Sequence, residues 1–214
     1  MCSTIWMSWT FYFETIGFVV SEFLNSIHLF LISKMSKQMF GNYKYLMFSF
    51  SSFTIVYSFV NFWCKPVVIN VHITENSSVV FTVLKETGVT KQIGEIAVGF
   101  YCSCYYIMLL LITIHFYYRY LSVTSPSGLL RFSNKTAPIW MLFIFCIAFL
   151  WFSLCYFVNG PSPMKNENFS PVFRKNYCLE PEEYAYLGPL FFYKDSSEET
   201  RFHIPSILAS ATML

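Results

Sequence analysis

Four long, predominantly apolar segments dominate the chain, at residues 11–32, 45–64, 96–118 and 137–158. Each has 20 to 23 residues, and a helix needs roughly 20 apolar residues to cross the hydrocarbon core of a bilayer. The second and fourth segments carry no charged side chain. Because hydrocarbon offers no partners to backbone polar groups, each segment is predicted to be a transmembrane helix.

Polar, turn-rich stretches separate these segments and define the rest of the organisation. Residues 1–10 precede the first span, and residues 159–202 follow the fourth, starting at the run Asn159-Gly160-Pro161-Ser162-Pro163. Residues 203–214 are apolar again, but 12 residues give only about 18 Å of helix against a core of roughly 30 Å. We therefore expect a fifth helix to start here and to be cut short.

The composition agrees with a membrane protein. Hydrophobic residues make up 55% of the 214 residues and charged residues 12%, and the mean hydropathy is +0.48. A soluble domain needs a more charged surface, and a disordered chain needs the opposite composition. The formal net charge of +2 provides no basic patch, so nucleic acid is not an expected partner.

The basic residues of the short loops predict the orientation. If the N-terminus is outside, six basic residues lie in the inner segments and eight in the outer segments. The positive-inside rule, however, applies to short loops and to residues near the ends of spans. The two short loops, 33–44 and 119–136, carry Lys or Arg and no Asp or Glu. We therefore expect an extracellular N-terminus, with Asn76 and Asn168 as glycosylated sequons and Asn134 unmodified.

Span one carries polar residues on one helical face, which should turn away from lipid. These residues are Glu14, Gly17, Ser21, Asn25 and His28. Glu22 lies off this face and is expected to be paired within the bundle or protonated. Polar contacts between helices and a direct ligand or switch role both remain open for this face.

Motifs typical of enzymes are absent from the sequence, including serine-hydrolase elbows, zinc-protease histidine pairs and phosphate-binding loops. Cys102-Ser103-Cys104 lies within a span and lacks the spacing of metal ligands, so packing explains it better. We expect no enzyme, no cofactor and no metal site.

Two motifs at span ends carry a family resemblance. The second span begins through Gly41-Asn42-Tyr43-Lys44-Tyr45-Leu46-Met47, and the third ends through His115-Phe116-Tyr117-Tyr118-Arg119-Tyr120. Together with Asn25-Ser26 and the stretch from Tyr177 to Tyr193, they resemble the nematode serpentine chemoreceptors of the Str class. These are seven-helix G-protein-coupled receptors.

The resemblance implies an all-α membrane protein: four transmembrane helices of a seven-helix bundle, with a truncated fifth helix. It implies a chemosensory, olfactory-type receptor in the plasma membrane of chemosensory neurons, with a small-molecule ligand and a heterotrimeric G protein as partners. A chain with only these helices is expected to need association with a full-length receptor. The alternative is a complete four-span scaffold or channel subunit.

The resemblance also implies roles for individual residues. Arg119 would be the switch that couples to the G protein, with Tyr118, Tyr120 and His115 beside it. Tyr118 stands where related triplets have an acid, so a local carboxylate latch is missing. A plain arginine that extends to the interface remains the alternative.

Two further expectations concern the outer side. Depth alone selects four ligand-binding candidates in the outer halves of spans two and three: Ser58, Asn61, Tyr101 and Tyr105. Many such receptors tie helix three to the second outer loop by a disulfide, but Gly94 stands near that position. Cys2, Cys64 and Cys178 are the cysteines expected on the oxidising side, and if Cys178 is bridged, Cys64 is the first-choice partner.

Overall fold

The computed structural model describes residues 5–34, 41–65, 67–73, 76–84, 90–133, 135–194 and 199–213. Its main helices are α1 (Ile5–Lys34), α2 (Tyr43–Cys64), α3 (Lys91–Thr124) and α4 (Ala137–Ser153). A single π-helical turn, Leu154–Val158, extends α4. These four helices are long and apolar enough to cross a membrane, which confirms the predicted fold class.

The helix ends differ from the apolar windows in α1, which begins at Ile5, six residues before the predicted span and within the predicted N-terminal segment 1–10. They differ most in α3. This helix has 34 residues and is about 51 Å long, well beyond a hydrocarbon core of roughly 30 Å. It begins at Lys91, five residues before the predicted span, and continues six residues past Tyr118. Hydropathy locates the part of a helix that lies in hydrocarbon, whereas the helix itself continues into the polar interface.

The helices pack in chain order, with α1 on α2, α2 on α3 and α3 on α4. The buried core between the helices lies along α3, where Val98 is fully buried and Ala97 and Cys102 are nearly so. By contrast, large side chains on α1 and α4, such as Phe13 and Phe145, are more than two-thirds exposed. In a membrane those faces meet lipid, which explains why apolar side chains lie on the outside.

A small antiparallel sheet joins the segments between the helices on the side where α2 ends and α3 begins. Its strands are β1 (Val67–Ile73), β2 (Asn76–Leu84) and β3 (Tyr184–Leu187), in that order across the sheet. Phe81 lies opposite Leu187 in the register of β2 and β3. Strands β4 (Phe192–Lys194) and β5 (Thr200–Phe202) form a separate hairpin.

The segment after α4 contains a further helix, α5 (Pro163–Tyr177), whose first turn is capped by the Ser162 hydroxyl. One face of α5 is apolar: Phe169 and Phe173 are fully buried and belong to a cluster with Tyr184 and Tyr186 of β3. A short helix α6 (Ile204–Met213) follows β5. The segment that the sequence predicts as an outer loop is therefore a packed layer over the end of α3.

Lys165 of α5 is 1% exposed. Its ammonium Nζ donates hydrogen bonds to the backbone oxygens of Val158 at 2.8 Å and Gly160 at 3.2 Å. These carbonyls lie at the end of α4 and its π-helical turn, where acceptors lack partners within the helix and the dipole favours a cation. Burial lowers the pKa of Lys165 to about 8.

Candidate functional site

The candidate switch residue Arg119 lies near the end of α3, on the side of the bundle with the two short basic loops. It lines a cavity of about 240 Å³ with residues of α1, α2 and α3, among them His28, Tyr43, Phe50 and His115. Arg119 is exposed. Within the described part of the chain, the ion pair found joins Arg174 to Glu180, so no carboxylate there holds Arg119.

His115 lies one turn before Arg119 on α3 and faces α2. Its Nδ1 is 3.4 Å from the Tyr43 hydroxyl, and its ring makes edge contacts with Tyr43 and Phe50 at centroid distances of 5.6 and 5.2 Å. The other ring nitrogen, Nε2, is buried without a hydrogen-bond partner among the described residues. The structure therefore brings His115 and Arg119 to one cavity.

Tyr118 connects three elements through its ring. It stacks on Tyr43 of α2 at 5.1 Å between centroids and meets the edge of Phe132 at 5.1 Å. Phe132 belongs to the 3₁₀ helix Pro126–Phe132 and stacks on Trp140 of α4 at 5.2 Å. Tyr120, by contrast, is 62% exposed, so the structure does not bring it into this aromatic chain.

The loop that carries Phe132 is fixed to the same end of α3 and α4. The guanidinium of Arg131 donates to the Tyr117 hydroxyl at 2.7 Å, and the Trp140 indole donates to the backbone oxygen of Arg131 at 2.9 Å. Sequence reasoning missed Tyr43, Phe132 and Trp140 as partners of Tyr118. The available signal was the position of Tyr43 inside the motif that begins α2.

The polar face of α1 makes one side-chain contact with α2. His28 Nδ1 lies 2.8 Å from the hydroxyl of Ser51, which is fully buried. The Asn25 amide instead donates to the backbone oxygen of Ser21 within α1, at 2.8 Å. One carboxylate oxygen of Glu22 is buried with no hydrogen-bond partner in the described residues. Of the polar face predicted to turn towards other helices, His28 makes this interhelical contact, whereas Asn25 bonds to Ser21 within α1.

At the end of the bundle predicted to face outwards, Tyr101 is the ligand-binding candidate with the clearest surroundings. Its ring stacks on Tyr57 of α2 at 5.7 Å, and the Tyr57 hydroxyl donates to the Tyr101 hydroxyl at 3.2 Å. Ser58 is buried, Asn61 is half-buried, and Tyr105 is 50% exposed. The structure therefore gives Tyr101 a polar partner on α2 and leaves much of the Tyr105 ring on the surface.

The predicted pairing of Cys64 with Cys178 is wrong. Cys178 is disulfide-bonded, but Cys64 is a free, buried thiol, and its sulfur donates to the Ala97 backbone oxygen at 3.7 Å. Cys64 ends α2 with its side chain packed between helices. It therefore belongs to a buried cluster of helix residues against which Leu187 of β3 also packs.

Gly94 lies near the position at which many receptors of this kind tie helix three to the second outer loop by a disulfide. Here it allows the outer layer to approach α3 closely. A Cβ atom placed on Gly94 would lie 2.7 Å from the Cβ of Ala185 in β3. The strand therefore packs directly on the helix, at a distance that only a glycine permits.

The two sequons predicted to be modified differ in their surroundings. Asn76 is the first residue of β2, opposite Ile73 in the β1–β2 hairpin. Asn168 lies within α5, and its amide nitrogen, the atom to which a glycan attaches, donates to the Met164 backbone oxygen at 2.8 Å. Asn134 lies outside the described residues. The amide of Asn168 is therefore engaged in a hydrogen bond within α5.

Among the residues that the structure describes, no three His, Cys, Asp or Glu side chains lie close enough to hold a metal ion.

Comparisons with known proteins agree on one family. The sequence model described as serpentine type 7TM GPCR chemoreceptor Str matches residues 10–214. Serpentine receptor class r-10 of Caenorhabditis elegans is 26% identical over 90% of this chain and 56% of its own length. The class r-10 receptor of Caenorhabditis briggsae is 23% identical over 97% of this chain and 60% of its own.

A third relative, the G-protein coupled receptor str-33 of Caenorhabditis elegans, is 21% identical over 91% of this chain and 56% of its own length. The chain thus spans somewhat more than half the length of these curated relatives. No solved structure matches the chain significantly.

Proposed function

Because the chain belongs to the Str family of serpentine type seven-transmembrane chemoreceptors, we propose that it acts in a G-protein-coupled receptor that detects a small molecule. The ligand would bind from the outer side, and the helices would pass the signal to a heterotrimeric G protein on the inner side. The family match carries this proposal and favours it over a four-span scaffold or channel subunit. A chemosensory neuron is the proposed site of expression, with the receptor in its plasma membrane.

The surroundings of Arg119 support an inner coupling surface at the end of α3. Its guanidinium has no ion-pair partner in the described residues, while Tyr118 next to it stacks on Tyr43 and makes an edge contact with Phe132. A cation that faces a cavity and is not fixed by a carboxylate can form a new contact when a partner approaches. We therefore propose Arg119 as the residue that contacts the G protein in the active state.

The outer half of the bundle supports ligand entry from the opposite side. The hydrogen-bonded pair Tyr57 and Tyr101 supplies hydroxyl groups between α2 and α3, and the layer that contains β3 and α5 packs over the end of α3. A polar pair within apolar walls is the usual make-up of a small-molecule site. We propose Tyr101 as a ligand contact, with Ser58, Asn61 and Tyr105 as the further candidates on this side.

Substitution of Arg119 tests the coupling role. The receptor that contains this chain is expressed in cultured cells with a G-protein reporter, and a panel of small organic odorants is screened for a response. Arg119→Ala is expected to abolish that response at equal surface level, and Arg119→Lys to weaken it, because a lysine lacks the planar array of donors. The matched control is Lys135→Ala, which removes an exposed basic residue of the same short loop region.

A normal dose–response curve for Arg119→Ala at equal surface level would leave Arg119 as an interfacial anchor and contradict the proposed coupling role. An equal loss in Arg119→Ala and Lys135→Ala would indicate a general effect of positive charge at this end of the bundle instead of a specific contact.

A further inference from the structure

Two free thiols meet between α3 and the π-helical turn that extends α4. Cys102 lies on α3 and Cys155 lies in the turn, and each side chain is buried, with 8% exposed. Neither residue is part of a disulfide, and their thiol groups are hydrogen-bonded to each other. Two thiols in direct contact can be joined by a covalent bond with little movement of the chain.

The packing of α3 on α4 places this pair. Val98 near the start of α3 and Cys155 at the end of α4 share a buried cluster with Leu187 of β3, so the two helices run in opposite directions. Tyr106 of α3 stacks on Trp151 of α4 at 4.0 Å between ring centroids. Cys102 lies four residues before Tyr106, and Cys155 lies four residues after Trp151. Because residues four apart share a helical face, the next contact along this interface falls on the two cysteines.

Two other buried thiols nearby are less suited to pair with Cys102. Cys64 of α2 belongs to the same buried cluster, but its sulfur donates to the backbone oxygen of Ala97 at 3.7 Å. Cys104 follows Cys102 by two residues, and residues two apart on a helix do not face each other. Cys155 is therefore the thiol with which Cys102 can pair.

The surroundings of the pair select a small, uncharged oxidant. The cluster around the two thiols is otherwise apolar, with Val60, Val98 and Leu187 among its members. A charged or bulky oxidant, such as glutathione disulfide, would lose its hydration or lack the space to enter. Hydrogen peroxide is neutral and close to water in size. The attacking form of a thiol is the thiolate, and a hydrogen bond from a neighbouring thiol stabilises the charge on the sulfur that accepts it.

From these observations we propose that Cys102 and Cys155 are a peroxide-sensitive pair that is oxidised to a disulfide between α3 and the end of α4. One sulfur attacks a peroxide oxygen, the O–O bond breaks, and a sulfenic acid and one water form. The second sulfur then attacks the sulfenic sulfur, the S–O bond breaks, and a second water leaves with the remaining thiol proton. Two thiols are oxidised and one peroxide is reduced. The inference does not depend on the proposed receptor function, since it concerns only the packing of α3 on α4.

The disulfide would fix an irregular part of α4. The turn Leu154–Val158 closes with a hydrogen bond from the backbone N–H of Asn159 to the oxygen of Leu154 at 3.2 Å, and single π-helical turns of this kind are frequent at functional sites. The carbonyl of Val158, at the end of the turn, accepts a hydrogen bond from Lys165 of α5. Oxidation would therefore tie α3 to the element that holds α5 in place.

Disulfide mapping of the whole chain tests the proposal. The protein in phosphatidylcholine nanodiscs is exposed to hydrogen peroxide, the remaining thiols are blocked with N-ethylmaleimide, and a non-reducing digest is analysed by tandem mass spectrometry. The expected product joins Cys102 to Cys155, increases with peroxide and disappears after treatment with dithiothreitol. Linkage of Cys102 to Cys64 or Cys104, or a sulfenic acid without a cross-link, would overturn the proposal. Recovery of both thiols unchanged, under conditions that fully oxidise glutathione in a parallel sample, would also overturn it.

Two variants locate the pair. Cys155→Ser should abolish the cross-link and leave Cys102 as a thiol or as a sulfenic acid that dimedone traps. The matched control is Cys104→Ser, which removes a thiol that is 2% exposed from the same helix and should leave the cross-link intact. Equal loss of the cross-link in both variants would contradict the assignment. The mapping of the wild type needs no substitution, so it decides the matter if a variant does not fold.

Discussion

Substitution of Gly94 by alanine is expected to separate the outer layer from α3 and to destabilise the protein. The new Cβ would lie 2.7 Å from the Cβ of Ala185, whereas ordinary contact begins near 3.4 Å. Ala185 is 3% exposed and part of β3, so its Cβ has no rotamer through which to escape. Strand and helix must therefore move apart by about 1 Å, as in other overpacked cores.

The size of the effect follows from two opposing terms. Overpacking a well-packed core costs about 1–3 kcal/mol, and replacing a helical glycine by alanine returns at most about 1 kcal/mol. The net loss should be about 1–2 kcal/mol, which lowers the midpoint of thermal unfolding by roughly 2–8 °C for a chain of this size. Gly17→Ala is the matched control, because a Cβ at exposed Gly17 would meet nothing within 4 Å.

Buried thiols provide the assay. Cys64 and Cys102 are free and only 2% and 8% exposed, so a dye that fluoresces on reaction with thiols reports unfolding of the detergent-purified chain. Gly94→Ala should react at lower temperature, whereas Gly17→Ala should match the wild type or react later.

Ala185→Gly should rescue the Gly94→Ala variant, because the two Cβ atoms cannot clash if one is absent. The double-mutant cycle is expected to give a coupling of about 1 kcal/mol or more. Unchanged stability of Gly94→Ala, or the absence of rescue, would refute the direct packing of β3 on α3.

Three further predictions concern the outer side. With an extracellular N-terminus, the chain expressed in cells should carry a glycan at Asn76 and none at Asn134, and mass spectrometry that finds Asn134 occupied would reverse the orientation. Because the pKa of Lys165 is lowered in the folded chain, the unfolded chain binds more protons than the folded chain above about pH 8. The free energy of unfolding of the wild type, measured relative to that of Lys165→Gln, should therefore rise by about 1 kcal/mol from pH 7 to 9. A difference that does not change with pH would contradict this. Because Cys178 is bonded and Cys64 is free, we expect a non-reducing digest to show Cys178 in a disulfide and Cys64 as a free thiol; a bond between Cys64 and Cys178 would contradict this.

The membrane-spanning helices could be predicted because their signal is local. About 20 apolar residues in a row specify a spanning helix by length alone. The ends of α2 and α4 lie within two residues of the apolar windows 45–64 and 137–158, since loops with Gly or Pro border them. The first turn of α3 lacked such a signal: Lys91 and Glu95 are polar, yet they continue the helix.

The outer layer could not be predicted because its contacts join distant parts of the chain. Strand β2 pairs with β3, which lies about a hundred residues later in the chain. The sequence of neither strand indicates which segment it pairs with. The same reason explains the wrong prediction of a disulfide between Cys64 and Cys178. The surroundings of Cys64 depend on how α2 packs on α3, which the local sequence does not specify. For His28, periodicity gave the correct face of α1 but not its partner Ser51.

At the end of the bundle that contains Arg119, Tyr118 stands where related triplets have an acid. Contacts other than an arginine–carboxylate pair must therefore hold the helices together there. Aromatic contacts of the kind that join Tyr43, Tyr118, Phe132 and Trp140 contribute about 0.5–1.5 kcal/mol each beyond burial. Three of them therefore equal or exceed an exposed arginine–carboxylate pair, which contributes about 0–1 kcal/mol. The aromatic chain can thus fix this end without any latch on the guanidinium, and the guanidinium is left available for another molecule.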